Sequence, residues 1–187
     1  MQEQNKKRLF IALNLPQNIK DKIFDLIKRL AKQNKETNIK WVDSNNMHLT
    51  LHFLGYIDAN TEKQIKLAMQ CFQGKFGRLK FELSKINAFP SLTNPRVIFL
   101  ECRQIDSKSI FKLQELLGKK LIQLRIAVDQ RTWKPHLTLG RVKEKCNFKI
   151  MDYTVVASEF SVNTFELMES ELKPAGAEHR EVVSYKL

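Results

Sequence analysis

No two cysteines in this sequence are spaced as a Cys-x-x-Cys clamp. The three that occur, Cys71, Cys102 and Cys146, are odd in number and far apart. That excludes a disulfide framework or a zinc knuckle as the organising device and fits a reducing cytosol. No apolar run is long enough to cross a bilayer, and the polar stretch from Met1 to Arg8 lacks a signal-peptide core. Five prolines and six glycines in 187 residues leave little room for disordered linkers. Acid is scarce relative to base: 20 Asp and Glu stand against 32 Lys and Arg, a net charge of +12. Two readings of that charge stay open, because the basic residues are spread along the chain. One is an anionic partner, nucleic acid foremost; the other is a lysine-rich surface that serves solubility.

What is present reads as a globular chain, 43% apolar and 28% charged. It is long enough to bury a real core as a single domain over 1–187 or a tightly joined pair of lobes. Residues 8–14 read as a buried strand, and Pro16 opens a helix to about Gln33 with Ile19, Ile23, Leu26, Ile27 and Leu30 on one face. A short extended segment at 40–42 precedes a strand at 47–54 that Gly55 ends. A helix capped near Asp58 runs to about Phe72, a strand covers 79–88, and a loop over 87–94 carries Phe89-Pro90. The plan then repeats. A strand at 96–101 leads to a helix capped by Asp106 or Ser107, with Ile110, Leu113, Leu117, Leu121 and Leu124 at helical spacing. Residues 126–128 extend towards a strand, and 129–135 form a loop. Strands are expected at 136–142, 153–157, 159–169 and 181–187.

Two stretches stand out. His48-Leu49-Thr50-Leu51 recurs as His136-Leu137-Thr138-Leu139, 88 residues later. In a strand, alternate residues share a face, so each copy sets an imidazole and a hydroxyl side by side. Shifting the first half by 88 also lays Arg8 on Arg96 and the first helix on the second. Strand, helix, motif strand thus occurs twice, as in a divergent duplication. Two lobes related by a pseudo-two-fold axis would bring the motifs opposite each other across a central groove.

Two histidines and two threonines suit in-line displacement at phosphorus. One imidazole takes a proton from the attacking oxygen and the other gives one to the leaving oxygen, each transfer contributing typically ~10²–10⁴-fold. Threonine hydroxyls can donate to the non-bridging oxygens. The scheme needs neither metal nor cofactor, and it fits opening of a strained cyclic phosphodiester. Arg141 adds a cation, although plain alternation puts it on the face opposite His136 unless a bulge re-aims it.

The sequence resembles the two-histidine phosphoesterases, and within them the prokaryotic RNA 2′,3′-cyclic phosphodiesterase branch, historically called 2′-5′ RNA ligase. The resemblance rests on Arg8-Leu-Phe-Ile-Ala-Leu, Leu15-Pro16, Trp41-Val42 and His48-Leu-Thr-Leu-His-Phe-Leu-Gly55. Pro95-Arg96-Val97, Pro135-His-Leu-Thr-Leu-Gly-Arg141 and Phe165-Glu-Leu-Met-Glu-Ser170 complete it. It implies an α+β, bilobal fold whose antiparallel sheets line the groove. It further implies hydrolysis of RNA 2′,3′-cyclic phosphate ends to 2′-phosphates. In that reading His48 is the proton donor, His136 the proton acceptor, and Thr50, Thr138 and Arg141 contact phosphate. The partner is RNA or a cyclic nucleotide, with no membrane and no metal, and the protein is a monomer.

Residues flanking the motifs are weaker candidates. By alternation His52 shares the face of His48 and Thr50. It reads as a substrate contact, a sheet-face neighbour, or half of a metal pair. Phe53 can stack a base or pack in the core. Trp133 and Lys134 can line the groove mouth, while Trp41 packs. His179 lies in a polar stretch with no partner motif and reads as solvent-exposed. Rival functions are 2′-5′ ligation, hydrolysis of another cyclic phosphate, and a binding module without chemistry.

Overall fold

The computed structural model describes residues 6–106, 109–150, 158–174 and 176–187. The chain opens with β1 (Lys7–Asn14), whose Leu9 to Leu13 are all buried. Pro16, with its fixed φ, then starts α1 (Gln17–Gln33), which buries Ile19, Ile23, Ile27 and Leu30 at three- and four-residue spacing. β2 (Ile39–Trp41), a short 3-10 turn (Ser44–Asn46) and β3 (His48–Ile57) follow. The Asp58 carboxylate caps α2 (Ala59–Gln70) by accepting from the Asn60 and Thr61 backbone N–H groups. β4 (Leu79–Ser91) and β5 (Asn94–Gln104) form a hairpin, and α3 (Ser109–Gln123) leads to β6 (His136–Val142). β7 (Glu159–Val162), β8 (Thr164–Lys173) and β9 (Gly176–Lys186) close the chain. No helix among the described residues is long and apolar enough to cross a membrane.

All strands join one antiparallel sheet in the order β7-β4-β5-β6-β3-β1-β8-β9, with β2 on β6. The order reads alike from both ends. β3, β1, β8 and β9 lie to one side of the β3–β6 seam, and β6, β5, β4 and β7 to the other. The halves in space are therefore not the halves in sequence, since β4 pairs with β5 and β8 with β1. One face of the sheet, with Leu9, Ile11, Leu13, Leu49 and Leu137, shares a single core with the buried helix residues. On the other face Phe10, Ala12 and Met168 form a separate small cluster. The helices thus cover one face and leave the other as the groove. Cys71, Cys102 and Cys146 are all free, and burial pushes the Cys102 thiol up to about 12.

Several sequence expectations need correction. The loop expected over 87–94 is mostly strand: only Leu92 and Thr93 turn, with Ser91 Oγ bonded to Thr93 Oγ1 and to the Asn94 N–H. Residues 126–128 form no strand, because the chain leaves α3 through Arg125 in the left-handed region. The expected strand over 159–169 is two strands, broken at Asn163, whose carbonyl accepts from the Leu187 N–H. Gly55 does not end the first motif strand. At φ 75° it sits beside a bulge, and β3 continues to Ile57. The strand expected at 153–157 and the cap at Ser107 lie outside the described residues.

Candidate active site

Leu49 pairs with Leu137, and that antiparallel contact sets the positions on either side of it. His48 lies level with Thr138 and Thr50 level with His136, all on the groove face, while both leucines are buried beneath. Directly opposed side chains have Cβ atoms about 4.5–5.5 Å apart and diagonal ones about 7–8 Å. The imidazoles occupy one diagonal and the hydroxyls the other. The motifs therefore do not face each other across the groove, as the repeat suggested; they adjoin on its floor. A phosphate above the crossing is within reach of all four.

The histidines are held alike. His48 Nδ1 lies 2.7 Å from the Asn46 carbonyl, and His136 Nδ1 lies 2.7 Å from the Lys134 carbonyl. A carbonyl only accepts, so each Nδ1 carries the hydrogen and donates. Each neutral ring then keeps its Nε2 lone pair for the groove. Asn46 and Lys134 are themselves 88 residues apart, so the tether repeats with the motif.

Each motif strand is bulged just after its threonine. Ile11 pairs with His52 and Ala12 with Thr50, which leaves Leu51 extra. Ile98 pairs with Gly140 and Phe99 with Thr138, which leaves Leu139 extra. Each bulge reverses the alternation beyond it. His52 accordingly turns into the core, 5% exposed, with Nε2 2.7 Å from the Gln114 carbonyl of α3. The expectation that it shares the face of His48, and so contacts substrate, is corrected by that bulge. Phe53, 57% exposed, returns to the groove face beside Phe10, with ring centroids 6.2 Å apart, so its core-packing reading falls. The second bulge does the same for Arg141 and resolves its face problem. The two bulges thus give one half an aromatic ring and the other a guanidinium at equivalent positions.

Trp133 is a strut rather than a groove-mouth contact. Its indole N–H donates to the Thr50 carbonyl at 3.0 Å, and its ring stands edge-on to Phe111 of α3. Lys134 is exposed, and its carbonyl tethers His136. Among the described residues no group of three or more His, Cys, Asp or Glu side chains is placed to hold a metal.

Comparison with known proteins agrees with this architecture. The family model for LigT-like phosphoesterases matches residues 13–99, which include the first motif. The RNA 2′,3′-cyclic phosphodiesterase of Methanocaldococcus jannaschii is 33% identical over 175 residues, covering 90% of this chain and 94% of the relative. The Thermotoga maritima enzyme of the same name is 30% identical over 172 residues, covering 90% and 89%. The chain belongs to the LigT-like phosphoesterases. Among solved structures, Escherichia coli LigT complexed with 3′-AMP shares the fold, with a TM-score of 0.82 at 21% identity over 98% of this chain and 99% of that one. A Thermus thermophilus protein superposes with a TM-score of 0.83 at 25% identity over 96% and 97%.

In this LigT-like phosphoesterase burial in the groove disfavours the charged form of both histidines. Burial lowers His48 to about 4, helped by His179, Lys20 and His136, while the Asn46 carbonyl opposes the shift. Burial also lowers His136, the Lys134 carbonyl opposes, and Arg141 adds a smaller downward push. His136 acts on His48 and Arg141 on His136, so these groups share one electrostatic neighbourhood.

Sequence reasoning missed the rings around the histidines. Phe10 lies 4.7 Å from His48 between centroids, and Phe89 and Phe99 each lie 5.3 Å from His136. Period-two alternation along β1 could have put Phe10 on the groove side. Phe89 falls in the stretch that reads as a loop. His179 is not solvent-exposed in a loop: it sits in β9 with its ring 5.2 Å from that of His48. The pairing of β8 with β9 brings it there.

Proposed function

We propose that the protein hydrolyses RNA 2′,3′-cyclic phosphate ends to 2′-phosphates by two-histidine acid–base catalysis without metal. The observation that carries this reading is the crossed square of His48, Thr138, His136 and Thr50 around Leu49 and Leu137. Water attacks phosphorus in line with the bond to O3′. His136 Nε2 takes the proton of the water as the new P–O bond forms. His48, protonated on Nε2, gives its proton to O3′ as the P–O3′ bond breaks. Thr50 and Thr138 donate to the non-bridging oxygens, and Arg141 neutralises their charge. The low proton affinity of His48 makes its protonated form a ready proton donor, and the incoming phosphate anion favours that charged form. The relatives' names as RNA 2′,3′-cyclic phosphodiesterases and the net charge of +12 support RNA as the substrate. The same reading has residues 1–187 acting as one domain of two pseudo-symmetric lobes, monomeric, in a reducing cytosol.

The test offers 2′,3′-cyclic AMP and a short RNA ending in a cyclic phosphate, with chelator present. The expected product carries a 2′-phosphate and a free 3′-hydroxyl. His48→Ala and His136→Ala each lose about 10²–10⁴-fold in kcat. Full activity in either variant, or a need for divalent metal, would sink the reading.

A further inference from the structure

Each motif histidine is clamped by two rings, and the clamps differ in one respect. Around His136 stand Phe89 and Phe99, stacked on each other at 4.3 Å and each presented to His136 at steep angles. Around His48 stand Phe10 and His179, 5.0 Å apart between centroids, with His179 edge-on to His48 at 5.2 Å. A ring that can carry a proton stands where the other clamp has a phenyl group.

His179 is tied into the same support as His48. Its backbone N–H donates to Asn46 Oδ1 at 3.1 Å, and Asn46 Nδ2 donates to the Ala177 carbonyl at 2.8 Å. The Asn46 carbonyl takes the His48 Nδ1 hydrogen at 2.7 Å. One asparagine thereby holds the His48 ring and the backbone that carries His179. His179 Nδ1 is buried without a hydrogen-bond partner of good geometry, although the Glu178 backbone acts on the ring in the sense of a hydrogen bond and favours its charged form. A buried polar atom left unsatisfied in a native site calls for an explanation beyond packing.

We propose that His179 is a positioning residue for His48: its imidazole sets how readily His48 gains and loses a proton, so the two titrate as one coupled unit. The inference rests on the catalytic role of His48 set out above. His179 faces Arg8 from β1 and His48 from β3. Its β8 neighbours Ser170 and Met168 are uncharged; on β9 it is flanked by Glu178 and by Arg180, which is paired with Glu169, and Glu181 stands two residues on. His48 in turn faces Lys20 from α1, His136 from β6 and His179 from β9, and of these His179 acts on it most strongly. Two rings this close resist carrying charge together. A proton on His179 keeps His48 neutral, and a neutral His179 lets an incoming phosphate anion charge His48. The Phe89–Phe99 clamp offers His136 no such control, so this one ring distinguishes the two histidines.

The test follows His48 through a pH titration by NMR in the wild type, His179→Gln and His179→Phe. The wild-type His48 signal should move in two steps and both variants in one. In His179→Gln the midpoint should rise by about half a pH unit or more. The pH–rate profile on cyclic-phosphate RNA should shift in the same variant. The limb that moves is the alkaline one if His48 is the acid, and the acid one if it is the base. A single-step wild-type curve reproduced by the folded variants overturns the proposal, as does a pH–rate profile in which neither limb moves. His179→Phe copies the other clamp, so a folding defect in one variant leaves the other to decide. The NMR titration needs no substrate. Failure of the enzymatic reading would instead appear as retained activity in His48→Ala.

Discussion

Leu49 and Leu137 form the one register pair that joins β3 to β6 among the described residues. Both are buried to within 1% of complete. They hold up the crossing of the motifs from below, so trimming one acts on stability and on catalytic geometry together. Leu137→Ala should lower unfolding stability by about 2–5 kcal/mol. It should also lower kcat in enzyme that is still folded. Urea unfolding paired with single-turnover rates separates the two effects.

The threonine hydroxyls lie on the diagonal opposite the imidazoles, where the non-bridging oxygens would sit. Thr50→Val and Thr138→Val keep the shape and remove the donor. Each should lower kcat about 10²-fold, with a smaller change in KM. A change confined to KM would show that the hydroxyls bind the ground state only.

Acid should weaken the fold through its histidines. Burial is the main cause holding His48, His52, His136 and His179 below the ordinary value of 6.5, with His48 at about 4. The unfolded chain then binds more protons between those pH values. The stabilisation is complete above about pH 6.5 and is lost as pH falls through the folded values. Glu166, raised by burial, acts in the opposite sense and blunts the effect. Urea midpoints should fall from about pH 7 to about pH 4.5, and the slope should be shallower in His48→Gln.

Much of this was legible in the sequence because it depends on local pattern. The repeated His-x-Thr-x run, the apolar helix faces and Pro16 mark elements whose signals lie within a few residues. The bulges at Leu51 and Leu139 were not legible. A single extra residue leaves no compositional mark, yet it sends His52 inward and Arg141 outward. The offset shows the same limit. The motif strands match at 88, but the strands beside them match at 87, since Ala12 pairs with Thr50 where Phe99 pairs with Thr138. His179 depends on strand pairing with no sequence signature at all.

Phe53 and Arg141 occupy equivalent places after the two bulges, and Phe53 offers the aromatic surface. Base–aromatic stacking contributes about 1–3 kcal/mol per base. Phe53→Ala should therefore raise KM for cyclic-phosphate RNA about 5- to 100-fold and leave kcat nearly unchanged. A cyclic phosphodiester without a base should be hydrolysed equally by both proteins.

Trp133 links the two motifs by a route the sheet does not provide. It precedes His136 by three residues, yet its indole N–H is spent on the carbonyl of Thr50, in the other motif strand. That carbonyl lies next to the Leu51 bulge, where the ladder between β1 and β3 is irregular. Phe111 holds the ring edge-on from α3, so the strut is braced from the helix layer as well. Trp133→Phe keeps most of the packing and removes the donor. Stability should fall by about 0.5–1.5 kcal/mol, the ordinary value of one hydrogen bond. The effect on kcat should exceed that figure, because small misplacements of a reacting group are costly. A double-mutant cycle between Trp133→Phe and Thr50→Val on kcat should then show strong non-additivity, since both changes act on one threonine. Strict additivity would mean that the strut carries stability alone.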